Sequence, residues 1–147
     1  MKKNKEGFTL IELLVVIAII GLLSTLSILA LNSARARARD AKRIADVKQI
    51  QTALEMYYND AGTYPDSLTT GTALSSGGNI YLAAVPAPPT PIDGSACPTV
   101  QPDYTYAKTT VSGTGGSYTI QYCLGATINN VTGNVDQTAS PAGIRLP

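Results

Sequence analysis

The sequence predicts an α+β fold: a long N-terminal helix, apolar and membrane-spanning in its first half, packed in its second half against a small antiparallel β-sheet in the C-terminal part. Three observations predict it. Phe8 to Leu31 is almost purely apolar. The next thirty residues are helix-forming and lack proline. From Gly62 onward the chain changes character and becomes rich in Thr, Ser, Gly, Pro and Tyr, with only Asp66, Asp93, Asp103, Lys108, Asp136 and Arg145 carrying charge.

The first element is FTLIELLVVIAIIGLLSTLSILAL, 24 residues with one ionisable group, Glu12. As a helix it is long enough to cross a hydrocarbon core about 30 Å thick. Lys2, Lys3 and Lys5 precede it, as in a secretory signal, but the apolar region of such a signal runs only about 7–15 residues before a small-residue cleavage site. Asn32-Ser33-Ala34 makes a poor one, so a retained membrane helix is the better reading. Glu12 is the anomaly, because a carboxylate inside a membrane helix costs on the order of 3 kcal/mol and calls for a partner or a task. Two readings stand. The side chain lies about one turn from Phe8 and can snorkel to the interface, or it awaits a positive group from another molecule, such as an α-amino group freed by a cut before Phe8.

The second element, SARARARDAKRIADVKQIQTALEMYYNDAG, repeats apolar residues at Ile44, Val47, Ile50, Leu54, Tyr57 and Ala61, giving one stripe on a helix. Asp46 lies four residues from Lys42 and from Ile50, which places the charges on the opposite side. Gly62 offers a left-handed stop, and Pro65 prevents resumption. A continuous helix from Phe8 to Ala61 would be about 80 Å long at 1.5 Å per residue. No soluble core of a 147-residue chain covers that, so the first half needs lipid or identical helices, and the stripe needs the rest of the chain. Five of the eleven cations, Arg35, Arg37, Arg39, Lys42 and Arg43, fall within nine residues. They read as a solvated helix face, as a headgroup anchor or inter-subunit salt-bridge row, or as a DNA-contacting patch; the absence of interleaved aromatics speaks against the last.

Beyond the helix, Asn79–Val85 is a strand candidate, followed by an extended PAPPTP segment. Tyr104–Val111 and Tyr118–Leu124 flank SGTGGS as a hairpin, and Thr127–Val131 adds a further strand. About three strands, with one face on the Ile44–Ala61 stripe, complete the fold. Cys97 and Cys123 are an even pair in a polar segment, which suits a disulfide in an oxidising compartment; two free thiols are the alternative. Closing that loop contributes about 3 kcal/mol in the chain-entropy model.

GFTLIELLVVIAIIGLL resembles the class III signal of type IV prepilins and type II secretion pseudopilins: a short basic leader ending in Gly, then Phe-Thr-Leu-Ile-Glu and an apolar helix. The resemblance covers residues 1 to about 31. It implies that residues 1–7 are a leader, that prepilin peptidase cuts after Gly7, that Phe8 becomes the N-methylated N-terminus, and that Glu12 neutralises a neighbour's N-terminus during filament assembly. It also implies a filament-core helix over 8–31, an amphipathic continuation over 32–61 and a globular head over 62–147, the lollipop shape of pilins. Positive-inside counting favours the opposite orientation, with three lysines before the span and five cations after it; the resemblance implies a cytoplasmic N-terminus. Many pilins carry a proline within this helix, and this chain has none between Phe8 and Tyr64. The helix exit Tyr57, Asp60, Gly62, Tyr64, Pro65 resembles that of major pseudopilins and related short pilins.

The expected function is therefore a structural subunit, with no catalysis. The expected partners are identical subunits, prepilin peptidase, and a membrane assembly platform with its ATPase. The expected location is the inner membrane as a single-pass protein with an extracytoplasmic C-terminal domain, then a surface pilus or periplasmic pseudopilus. The compact size and helix exit favour the secretion form; the cysteine pair and lack of an acidic calcium loop favour the pilus. The alternative class is a membrane-anchored binding module or enzyme that uses only the targeting helix. Against it stand the absence of histidine, which removes the commonest general base and most zinc sites, and the lack of a phosphate loop. No cofactor is expected. Asp93, Asp103 and Asp136 are candidate calcium ligands without the spacing of a known loop, and Asn130-Val131-Thr132 fits a glycosylation sequon.

Overall fold

The computed structural model describes residues 7–91, 104–111, 114–128, 131, 133 and 135–145. The chain is α+β. Helix α1 spans Leu10–Ala61, 52 residues, and six strands follow: β1 (Leu74–Ser76), β2 (Asn79–Leu82), β3 (Thr105–Val111), β4 (Thr114–Leu124), β5 (Val135–Ser140) and β6 (Gly143–Arg145). It divides into two units, one ending at Arg35 and one beginning at Ala36.

In the first unit α1 is exposed along its whole length, and its apolar side chains touch no core. In the second unit the same helix buries Ile44, Val47, Ile50, Ala53 and Leu54. These positions recur at three and four residues, so one face of the helix carries them all. Each large aliphatic side chain so buried contributes about 1.5–3 kcal/mol. The stripe ends earlier than its spacing predicts: Tyr57 is half-buried and Ala61 exposed. The charges do not all lie opposite it. Asp40, Arg43 and Asp46 are buried among the stripe residues, and each is paired. A buried charge is tolerated only with that compensation.

The helix stops where its glycine allows. Gly62, at φ 70°, donates its amide to Tyr58 O at 2.8 Å, the left-handed cap that a residue without Cβ adopts at no steric cost. The other exit residues also have tasks. Tyr57 packs edge-on to Tyr81 at 5.6 Å between ring centres. Asp60 accepts the Tyr81 hydroxyl at 2.7 Å. Tyr64 is buried against Tyr118, centres 4.8 Å apart, and the Pro65 carbonyl accepts the Tyr106 hydroxyl at 2.7 Å.

Two antiparallel sheets follow. β1 and β2 form a hairpin of their own, so the expected Asn79–Val85 strand shortens to Asn79–Leu82 and does not join the main sheet. The main sheet has the order β3-β4-β5-β6. Along β4, Tyr118, Ile120, Tyr122 and Leu124 alternate inward, the period of two that a pleated strand imposes. They meet Ala139 of β5, Tyr104, and the α1 stripe in one core. Gln51 of α1 donates to Ser140 O at 2.8 Å, tying the helix to the β5–β6 hairpin.

The glycine-rich stretch lies largely inside β4, not in a loop. Val111 pairs with Thr114, and the register slips between Thr109 and Val111. At that bulge Gly116 has φ 88°, and a Cβ there would come 3.0 Å from Thr109 O. Any side chain would push the two backbones apart. Of the expected Thr127–Val131 strand, the described residues Ile128 and Val131 form only an isolated bridge. The third and fourth strands of the sheet are instead β5 and β6, whose polar residues hide them from pattern reading.

Candidate functional site

The N-terminal end of α1 is built by four residues, Gly7, Phe8, Thr9 and Glu12. Gly7 and Phe8 precede the helix, and Phe8 is 90% exposed. Thr9 is the N-cap. Its hydroxyl accepts the Glu12 amide at 3.3 Å, while the Glu12 carboxylate accepts the Thr9 amide at 2.8 Å and the Thr9 hydroxyl at 2.7 Å, all on Oε2. This is a reciprocal capping box, Thr-x-x-Glu, which satisfies backbone donors that the first turn leaves open. Glu12 thus has an intrachain role besides the two expected for it. The residue missed from the sequence is Thr9, although a Thr three residues before a Glu at the head of an apolar run is a legible sign.

Behind the cap stands an uninterrupted apolar surface. Leu10, Ile11, Leu13 and Leu14 are each more than half exposed, as are Ile17, Leu22, Leu23 and Leu29. The helix is long and apolar enough to cross a membrane. Its polar interior residues are turned on themselves: Ser24 donates to Ile20 O at 2.7 Å, Thr25 to Leu22 O at 2.8 Å and Ser27 to Leu23 O at 2.8 Å. Hydroxyls bound back to the helix carry no exposed donor into an apolar setting.

The basic cluster is divided by the structure. Arg35, Arg37 and Lys42 are exposed and Arg39 half-exposed. Arg43 is buried, ion-pairs with Asp40 one turn away, and donates through Nη2 to Pro89 O at 2.8 Å and Pro91 O at 2.9 Å. Asp40 also accepts the amides of Gly125 at 3.1 Å and Ala126 at 2.9 Å. One turn of helix therefore holds both the proline-rich segment and the chain after β4. Asp46 accepts the Tyr104 hydroxyl at 2.9 Å; burial, with the adjoining Asp46 carboxylate, pushes that phenol well above its ordinary range.

Other expected sites are less complete. Cys97, Asp93, Asp103, Asn130 and Thr132 lie outside the described residues. Cys123 is buried in β4. Asp136 is exposed and pairs across the ladder with Cys123. Among the described residues no group of three His, Cys, Asp or Glu side chains converges to hold a metal.

Comparison with known proteins agrees with this geometry. Residues 2–28 match the prokaryotic N-terminal methylation motif. The chain is 38% identical over 64 residues to type II secretion system core protein G of Aeromonas hydrophila, covering 44% of this chain and 45% of that protein. It is 39% identical over 73 residues to the core protein G of Escherichia coli K12, covering 50% and 48%. It is 30% identical over 121 residues to type IV major pilin protein PilE1 of Neisseria gonorrhoeae, covering 82% and 61%. The chain thus spans less than two thirds of the length of each of these relatives. No solved structure matches it. A capped apolar helix under a methylation motif, followed by a small antiparallel head, makes this chain similar to type IV pilins and type II secretion pseudopilins.

Proposed function

We propose that the chain is the precursor of a structural filament subunit. Prepilin peptidase cleaves it after Gly7, Phe8 becomes the N-methylated N-terminus, and the mature subunit polymerises through α1, driven by a membrane assembly platform and its ATPase. The observation that carries this reading is the exposed apolar surface from Phe8 to Leu31 beginning at a single carboxylate, Glu12. Such a surface is stable only in lipid or against other apolar helices. The subunit is accordingly held in the inner membrane by one span before assembly and covered by identical subunits afterwards. Glu12 neutralises the α-amino group of a neighbour, which offsets the cost of placing either charge in an apolar setting.

Mass spectrometry of the mature chain tests the processing step. The expected N-terminus is N-methylated Phe8; an unmethylated chain still starting at Met1 sinks the proposal. Relatives from both secretion systems and pili match, and neighbouring genes separate the two: a secretin with exoprotein cargo marks a pseudopilus, a retraction ATPase a pilus. We also propose a Cys97–Cys123 disulfide, supported by the burial of Cys123 and by the absence of a free thiol among the described cysteines. Reduction is expected to lower the melting temperature of the head; an unchanged melt excludes the bridge.

A further inference from the structure

The exposed side of α1 in the second unit is divided by charge. Arg37 and Lys42 are exposed cations, and among the described residues neither forms an ion pair. Further along stand two carboxylates whose partners are phenols. Half-buried Glu55 accepts from Tyr64 at 3.1 Å and from Tyr118 at 3.4 Å, and exposed Asp60 accepts from Tyr81 at 2.7 Å. A phenol is a neutral donor, so neither carboxylate is neutralised within the chain. Asp60 also stands in the last turn of α1, which holds no basic residue. The helix dipole disfavours an anion there, so the helix by itself would select the opposite placement.

The spacing matches as well as the sign. Arg37 and Glu55 are eighteen positions apart, and so are Lys42 and Asp60. Eighteen residues make about five full turns and rise about 27 Å, so each pair lies on one line parallel to the helix axis. One displacement of about 27 Å along that axis therefore brings both cations of one copy level with both carboxylates of the next. Anionic lipid or nucleic acid would use the cations alone and leave the matched carboxylates without a task.

We infer that this face of α1 docks a second copy of the chain, staggered by five helical turns, with Lys42 meeting Asp60 and Arg37 meeting Glu55. The contact is heterologous. Each copy offers its cations to one neighbour and its carboxylates to another, and repetition gives an open assembly, not a closed dimer. The inference rests on the filament-subunit reading and adds to it an axial register set far from the N-terminal turn.

The full chain is expressed with its processing and assembly machinery, and sheared filaments are quantified. Lys42→Glu and Asp60→Lys each set like charges side by side, and each is expected to cut the yield roughly tenfold. The two together are expected to restore it to within about twofold. Should a reversal unfold the head, a neutral reporter still decides. Ala38 and Met56 are exposed on α1 and are also eighteen positions apart. Ala38→Cys with Met56→Cys in one chain is expected to give a ladder of covalent oligomers when filaments meet a short bismaleimide, whereas each single variant gives nothing beyond dimers. The two cysteines of one chain lie about 27 Å apart, beyond such a reagent, so a ladder reports contact between copies. Filaments of the double-cysteine chain that give no ladder overturn the inference. A paired reversal that folds yet assembles no better than either single reversal does so too. If Lys42→Glu keeps its filament yield but loses binding to DNA or to phosphatidylglycerol vesicles, the cations serve those partners and the inference falls. Failure of the wild-type chain to form filaments removes the filament reading and this inference with it; normal wild-type filaments without a ladder in the reporter remove the register alone.

Discussion

In the unit that ends at Arg35, the backbone is satisfied within one helix while side chains such as Phe8, Leu10 and Leu22 remain well over half exposed. In the unit that begins at Ala36, Val47, Leu54, Tyr118 and Leu124 are wholly enclosed, and even the charges of Asp40, Arg43 and Asp46 are inside and paired. One helix supplies both behaviours. The difference shows that helix formation and helix stability are separate matters here. A capping box and a run of good hydrogen bonds make the first stretch helical, but its surface must be covered by something outside the chain. The second stretch finds its cover in strands that come after it in sequence.

If that contrast is right, the largest thermal effects of substitution belong to the second unit. Arg43→Ala removes one partner of a buried pair and leaves Asp40 uncompensated, a change expected to cost about 3–5 kcal/mol. A thermal melt of the full chain in detergent reads it, and a shift of only a degree or two would show that the Gly125 and Ala126 amides suffice for Asp40. Leu54→Ala empties a fully enclosed site and is expected to cost about 2–5 kcal/mol. Its counterpart Leu22→Ala, 64% exposed, is expected to leave the same melt within about 0.5 kcal/mol; a comparable loss would mean that the first stretch is covered within the chain.

Alkaline pH sharpens the comparison further. Burial, then the Glu55 carboxylate, pushes Tyr64 up to about 12, and burial alone pushes Tyr122 to about 12. Tyr106 and Tyr118 are raised for the same leading reason, burial. A raised tyrosine is protonated in the folded state at a pH where the unfolded chain ionises, so its contribution is complete below about pH 10 and is lost as pH climbs toward 12. The head is therefore expected to lose on the order of 10 °C of melting temperature between pH 9 and 11, followed by circular dichroism. Every one of these tyrosines lies in the second unit, so a melt flat across that range would contradict its enclosed core.

The smallest effect is expected at the surface. Lys108 bonds Asp66 at 2.8 Å, and that hydrogen bond, with the adjoining ammonium charge, lowers the carboxyl from its ordinary range. Asp66 is almost wholly exposed, so solvent screens the pair and it contributes little to stability. The contribution is present above the ordinary carboxyl pKa and fades as pH falls through the lowered one. Lys108→Ala is expected to move the melt by a few degrees at most, and less in high salt.

Residues 8–61 were legible from the sequence because each of their signals is local. Apolar composition marked the membrane-length stretch, three-and-four spacing marked the stripe, and Gly62 with Pro65 marked the exit. GFTLIE marked the place where processing is proposed. The reciprocal bonding of Thr9 and Glu12 was equally local and was available to the same reading. What no local pattern could supply was partnership across the chain. Arg43 reads as one of five cations until Pro89, Pro91 and Asp40 surround it, and Asp46 reads as a solvent-side charge until Tyr104 meets it. β5 escapes notice because Gln137, Thr138 and Ser140 look polar; its inward face is defined only by β4 beside it. Sequence alone determined the long helix and its apolar and amphipathic halves, since helix period and apolar length are properties of neighbouring residues. The tertiary structure decided which charges are buried, which strands share a sheet and where the stripe ends, because those depend on desolvation and hydrogen bonding between segments far apart in the chain.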